Sequence, residues 1–311
     1  MISWLKKILS ILRPIEILGL FFLFVMVILY QWFDLELFSI HRILLWTYTT
    51  FFVFIIIFIA RLLVDLNIKK VFAPKEILGF MRDWIPLVIF ILVYDNLHDI
   101  TSLINPLNFD PFFITVDKIL FFGHHPTLVF EKFISPLATQ WLGFVYALYF
   151  LFFPVTLGVL YFQGKRKEFH ITSLSVMLAI YTGFILYLLF PCVGPILAQN
   201  NIHTVDLQGD GTFSLYNGAV ALYGEYRNYF HCFPSLHFAV TAIFWWFSWK
   251  YSRPLFWIYL PIVLSLWFST VYLRWHYVVD ILAGAVIAGY AIFIGPQIQH
   301  AWENWSKKQR T

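Results

Sequence analysis

Runs of about 20 apolar residues recur along the whole chain, and a helix of that length spans the ~30 Å hydrocarbon core of a bilayer. They cover about 15–33, 43–64, 84–98, 141–162, 169–190, 237–249, 254–272 and 276–295, which makes eight candidate transmembrane helices. The run at 237–249 is short, so its helix is expected to start slightly earlier or to sit partly in the interface. Only 12% of the 311 residues are charged, against roughly 25% in a soluble domain. The expected fold class is therefore an all-α integral membrane protein, and a soluble domain is excluded.

The first run follows Lys6, Lys7 and Arg13 as a secretory signal would. It ends in Tyr30-Gln31-Trp32 without a small-residue cleavage site, so it reads as a retained anchor. With the N-terminus inside, the loops 61–82, 163–168 and 250–253 and both tails carry 16 of the 21 basic residues. The positive-inside rule then gives cytoplasmic N- and C-termini, and the expected location is the plasma (inner) membrane. The formal charge of +4 is dispersed between apolar runs rather than gathered in a patch, so nucleic acid is not an expected partner. No repeat or separate hydrophilic domain stands out. The expected organisation is an N-terminal anchor with two spans (1–82), a six-helix catalytic core made of the third to eighth spans (83–298) and a cytoplasmic tail (299–311).

The loops 99–140 and 191–235 fall on the extracytoplasmic face and are too long to be simple connectors. The candidate chemistry lies in two segments, Phe233-Pro234-Ser235-Leu236-His237 and Ser269 to Asp280, the latter containing Arg274-Trp275-His276-Tyr277. His237 and His276 are 39 residues apart. That distance allows one helix inward, a turn at Lys250–Arg253 and one helix back, so both imidazoles return to the same face. Asp280 follows His276 by four residues; on one helix its carboxylate would accept the ring's Nδ1–H and leave Nε2 free as a nucleophile. Ser235 precedes a helix N-terminus, where its hydroxyl and unpaired backbone N–H groups would hold a phosphate oxygen. His237 would be the proton donor, and the set suits metal-free phosphoryl transfer through a phosphohistidine.

These segments resemble the type-2 phosphatidic acid phosphatase superfamily, whose second motif reads P-S-G-H and whose third ends in H-x-x-x-D. The stretch from Ser269 through His276-Tyr277 to Asp280 looks like the branch of fungal inositol phosphorylceramide synthase and its bacterial relatives. Val116-Asp117 to Gly123 and Phe190-Pro191-Cys192-Val193-Gly194-Pro195 are similar to looser features of that branch. The resemblance implies His276 as nucleophile, Asp280 as its orienting partner, His237 as general acid and Ser235 as phosphate ligand, with a membrane lipid as substrate and a lipid or alcohol hydroxyl as acceptor. No metal or other cofactor is expected, since no G-x-x-x-x-G-K-[ST] loop is present and His237, His276 and Asp280 are accounted for by acid–base and nucleophilic roles.

Two departures bear on activity: Thr270 stands where the phosphatases carry a phosphate-binding Arg, and Leu236 replaces the motif Gly. Both argue against simple monoester hydrolysis. Lys6 to Arg13-Pro14 matches the first superfamily motif, K-x6-R-P, but lies on the expected cytoplasmic side and is read as non-catalytic. Charge compensation must come from the basic residues outside, of which Arg227 and Arg274 flank the two motifs and are the expected phosphate grips. Thr270 and His231 are further candidates for the phosphate site, His231 against its reading as an ordinary loop histidine. Asp95, His98 and Asp99 read as the polar end of the third span. Cys192 and Cys232 either pair as a disulfide across the 191–235 loop or stay as two buried thiols. The reading is a lipid phosphotransferase; a lipid phosphate or polyprenyl pyrophosphate phosphatase is the alternative. A transporter is disfavoured because ionisable groups sit at span ends.

Overall fold

In the computed structural model the described residues are 2–36, 74–207 and 231–310. The expected span at 43–64 and the candidate Arg227 lie outside them. The described chain is all-helical, with no strand among the described residues. In chain order the helices are α1 (Ile2–Ile11), α2 (Pro14–Trp32), α3 (Pro74–Ile104), α4 (Asp110–Leu120), α5 (Pro126–Phe130), α6 (Pro136–Ala147), α7 (Tyr149–Phe162), α8 (Arg166–Leu189), α9 (Pro195–Ala198), α10 (Leu236–Tyr251), α11 (Arg253–Tyr272) and α12 (Val278–Arg310).

Five of these are long and apolar enough to cross a membrane, and a sixth span arises if α6 and α7, bent by 44° at Leu148, count as one. They correspond to six of the eight runs read from sequence. The short run at 237–249 forms a helix of 16 residues, about 24 Å long. Prolines mark the starts: α2, α4, α5, α6, α9 and α11 each carry one in the first turn, where the missing N–H is not needed and φ is already helical. The helix of the last apolar run continues past residue 298, because nothing after Pro296 breaks it, and α12 ends only at Arg310.

Two compact units divide the chain. The first comprises residues 1–96, 153–178 and 290–311. Its polar centre is Asp83, whose buried carboxylate is ion-paired with Arg13 and, at 2.8 Å, with Arg166. Glu16 accepts from the Arg13 backbone N–H and pairs with Arg82 at 2.9 Å. Arg13, the last basic residue of the K-x6-R-P stretch, is thus a partner of Asp83 and Glu16. Trp302 and Ser306 donate to the carbonyls of Leu12 and Ser10 and fasten the end of α12 to the α1–α2 connection.

The second unit comprises residues 97–152 and 179–289. A single residue, Ser252, separates α10 from α11, so the two pack as an antiparallel hairpin, and α11 also packs on α6. This returns the chain at Tyr272 to the end where α10 began. Gly284 makes the closest approach: a Cβ there would lie 2.6 Å from the Ser235 carbonyl oxygen, so only glycine lets α12 lie this near the start of α10.

Candidate active site

The site forms where α10 starts and α11 hands over to α12. Ser235 is the N-cap of α10; its hydroxyl accepts from the Phe238 N–H at 3.3 Å, and its own N–H donates to the Asp280 backbone carbonyl at 3.0 Å. His237 therefore occupies the first turn of α10. At the other side Arg274 adopts φ of 63°. The N–H groups of Trp275 and His276 both donate to the Thr270 carbonyl at 3.0 Å, reversing the chain before α12.

His276 lies in this turn, two residues before α12, and not on a helix with Asp280. The two meet because Asp280, the third residue of α12, reaches back over the helix start, as a capping-box carboxylate does. Its Oδ2 accepts from the Tyr277 N–H at 2.8 Å and from Cys232 Sγ at 2.8 Å, and lies 3.2 Å from His276 Nδ1. With Nδ1 donating to the carboxylate, His276 keeps a lone pair on Nε2, which faces His237 Nδ1 at 3.4 Å. His276 and Asp280 are buried and His237 is half-buried. The His237 ring stacks on Tyr146 and packs at a tilt against Tyr149, with centroids 4.4 and 4.3 Å away, and the Tyr146 hydroxyl lies 3.4 Å from its Nδ1.

Two aspartates on α4 brace this arrangement. Asp117 accepts from the N–H groups of Val278 and Val279, both at 2.9 Å, and so caps the helix that carries Asp280. Burial pushes the Asp117 carboxyl up to about 6, against the two amide bonds that favour its charge, and the neighbouring Asp280 adds to the rise. Asp110, two turns earlier, accepts from the N–H groups of Val193 and Gly194 and from the Tyr277 hydroxyl at 2.7 Å. Burial, followed by Asp110, raises the Tyr277 phenol. The 190–195 segment and the 276–280 turn are in this way bound to one short helix.

The other expected phosphate ligands have partners of their own. The Thr270 hydroxyl donates to the Trp267 carbonyl. Arg274 donates to Glu131 at 2.9 Å and to the Val205 carbonyl at 2.6 Å. Burial alone would raise the Glu131 carboxyl, but hydrogen bonds from Thr204 and the charge of Arg274 hold it below the usual range. His231 lies 2.8 Å from the Thr101 hydroxyl, stacks on Tyr187 and packs at a tilt against His98. Cys192 and Cys232 are free, buried thiols, packed in one cluster with Phe113 and Tyr277, and burial raises both. Cys232 Sγ, His276 Nδ1 and an Asp280 oxygen lie within 4.8 Å of one another.

Sequence reasoning missed Tyr146, Tyr149, Asp110 and the capping role of Asp117, and it gave Cys232 no part beside the histidine. Only Asp117 carried a signal, since it stands in one of the stretches similar to the synthase-like branch.

Membrane-length helices that gather two histidines and a carboxylate at one end define a helical membrane protein with a paired-imidazole site. The chain belongs to the PAP2 superfamily, whose profile matches residues 112–294. Over 67 residues it is 43% identical to the inositol phosphorylceramide synthase catalytic subunit of Saccharomyces cerevisiae, a stretch covering 21% of this chain and 16% of that protein. No solved structure matches the chain.

Proposed function

We propose that the protein cleaves a phosphoester or phosphodiester of a membrane lipid at the extracytoplasmic leaflet and passes the phosphoryl group, through His276, to a lipid or alcohol hydroxyl. The observation that carries this reading is the placement of His276 between Asp280 at 3.2 Å and His237 at 3.4 Å. Asp280 holds the Nδ1–H tautomer, so Nε2 attacks phosphorus. The P–O bond to the leaving group breaks as the N–P bond forms, and protonated His237 gives its proton to the departing oxygen. In the second half, neutral His237 takes the proton of the acceptor hydroxyl as that oxygen displaces His276. An incoming phosphoryl group takes the place of the 3.4 Å contact between the rings, with one oxygen at the N-terminus of α10, where Ser235 and the first N–H groups point.

Transfer is preferred over hydrolysis because the yeast catalytic subunit to which the 67-residue stretch is 43% identical is a synthase. The distribution of basic residues supports this leaflet, since 16 of 21 fall on the opposite side in the expected topology. A lipid phosphate or polyprenyl pyrophosphate phosphatase is the second reading, with water as acceptor at the same residues. The purified protein is incubated with lipid phosphates and phosphodiesters, with and without an alcohol acceptor. A new phospholipid supports the transferase and free phosphate alone supports the phosphatase. If neither product forms and no acid-labile phosphate is trapped on His276, the reading is overturned.

A further inference from the structure

The three groups around His276 Nδ1 also have the composition of a soft-metal site. Cys232 Sγ is 2.8 Å from Asp280 Oδ2 and 3.6 Å from His276 Nδ1, and the third edge, Nδ1 to Oδ2, is 3.2 Å. The centre of such a triangle lies about 1.9 Å from each corner, slightly less than the roughly 2.0–2.3 Å of zinc bonds to oxygen, nitrogen and sulfur. An ion placed about 1 Å out of the plane would thus reach all three donors with small adjustments. All three residues are buried, where net charge is costly. A divalent cation with one thiolate and one carboxylate is neutral. Asp280 Oδ1, buried with no hydrogen-bond partner among the described residues, is a further donor at the same position.

We infer that Cys232, His276 and Asp280 form an inhibitory site for a thiophilic divalent cation of the zinc class. Binding releases the Cys232 thiol proton. The neutral His276 ring gives the metal its Nδ1 lone pair, so its proton moves from Nδ1 to Nε2. The nitrogen that faces His237 then carries hydrogen and has no lone pair for phosphorus, and the metal has taken the carboxylate that orients the ring. Removal of the ion reverses each step. The same three groups are thereby a dyad with a thiol donor when metal-free and a closed coordination site when metal is present. The inhibitory half rests on the phosphohistidine reading above; the binding half does not.

The test uses the purified full-length chain in detergent or lipid nanodiscs. Cadmium titration should give a thiolate-to-metal charge-transfer band saturating at one equivalent, absent from Cys232→Ser and retained by Cys192→Ser. Zinc-edge X-ray absorption of the zinc-loaded native protein should show one sulfur with nitrogen and oxygen scatterers, a measurement that needs no variant. In the turnover assay zinc should inhibit at least tenfold, with recovery on adding a chelator. No charge-transfer band, a band that survives Cys232→Ser, loss of the band in Cys192→Ser or a two-sulfur zinc shell overturns the site. Binding as described without inhibition overturns the regulatory role while leaving the ligands in place. If no phosphoryl transfer is detectable at all, the spectra still decide the metal site.

Discussion

His276 Nε2 faces His237 Nδ1 at 3.4 Å, although the two rings come from a turn and a helix joined by the whole of the α10–α11 hairpin. Each ring has a separate task in the proposed transfer, one forming the bond to phosphorus and the other moving the proton. His276→Ala and His237→Ala are each expected to abolish measurable turnover while the protein stays folded, since neither ring closes a helix or fills the core alone. Asp280→Asn keeps the nucleophilic ring but loses its charged orienter, and activity should fall by about 10–100-fold. Steady-state kinetics beside thermal unfolding of each variant decide this; wild-type turnover in folded His276→Ala would rule out the phosphohistidine.

Asp117 has consequences for stability that can be separated from catalysis. Its carboxylate satisfies two N–H groups at the start of α12, and an amide replacing it can accept only through one oxygen. Asp117→Asn, which removes the buried charge together with one acceptor, should therefore change stability little at pH 7 and cost about 1–2 kcal/mol at pH 4, where the wild-type group is also neutral. Its folded-state value of about 6 lies above the ordinary carboxylate value of 3.8. Between about pH 4 and 6 the folded protein holds a proton there that the unfolded chain has lost, so stability from this group is present at low pH and falls as pH rises through 6. Melting curves of wild type and Asp117→Asn should draw apart as pH falls from 7 to 4, with wild type gaining. A pH-independent difference would remove Asp117 as the source.

What was legible in the sequence followed from local rules. Spans were found because bilayer thickness sets run length, and the meeting of His237 and His276 because 39 residues make one hairpin. The His276–Asp280 contact was expected for the wrong local reason: it is made across a turn by a carboxylate reaching back over a helix start, not by two residues on one helical face. Asp110 and Asp117 could not be read as braces, because their partners at 193–194 and 277–279 lie about 80 to 170 positions away and no local pattern encodes such pairs. Tyr146 and Tyr149 are lost among a composition that is 21% aromatic. Cys232 invited a question about disulfides, which concealed its place as a donor to Asp280.

Arg274 separates a phosphate ligand from a structural clamp. Its guanidinium is held by Glu131 and by the Val205 carbonyl, and both ion-pair side chains are less than 10% exposed. A grip on phosphate requires that pair to open. If the clamp dominates, Arg274→Ala and Glu131→Ala should each destabilise by about 3–5 kcal/mol, since breaking either half strands a buried charge, and the double variant should cost less than their sum. KM for the lipid should then be equal in the two single variants. A KM raised tenfold or more in Arg274→Ala alone would assign the guanidinium to phosphate.

The orientation is testable with probes at exposed positions. Asn201 lies between two helices of the second unit, in the segment proposed to face out, and Gln163 lies at the α7–α8 connection, in a loop proposed to face the cytoplasm. Both are exposed. The native thiols at Cys192 and Cys232 are buried, and burial raises both. They stay protonated and unreactive at neutral pH, so neither needs to be removed. A membrane-impermeant thiol reagent added to intact cells should label Asn201→Cys and miss Gln163→Cys and the native chain, and Gln163→Cys should label only after permeabilisation. The reverse pattern would place the histidine pair on the cytoplasmic face and direct the enzyme to lipids of that leaflet. In the same preparation both native cysteines should alkylate after denaturation without reductant; resistance there would mean that they are joined, and would take away the Cys232 thiol that donates to Asp280.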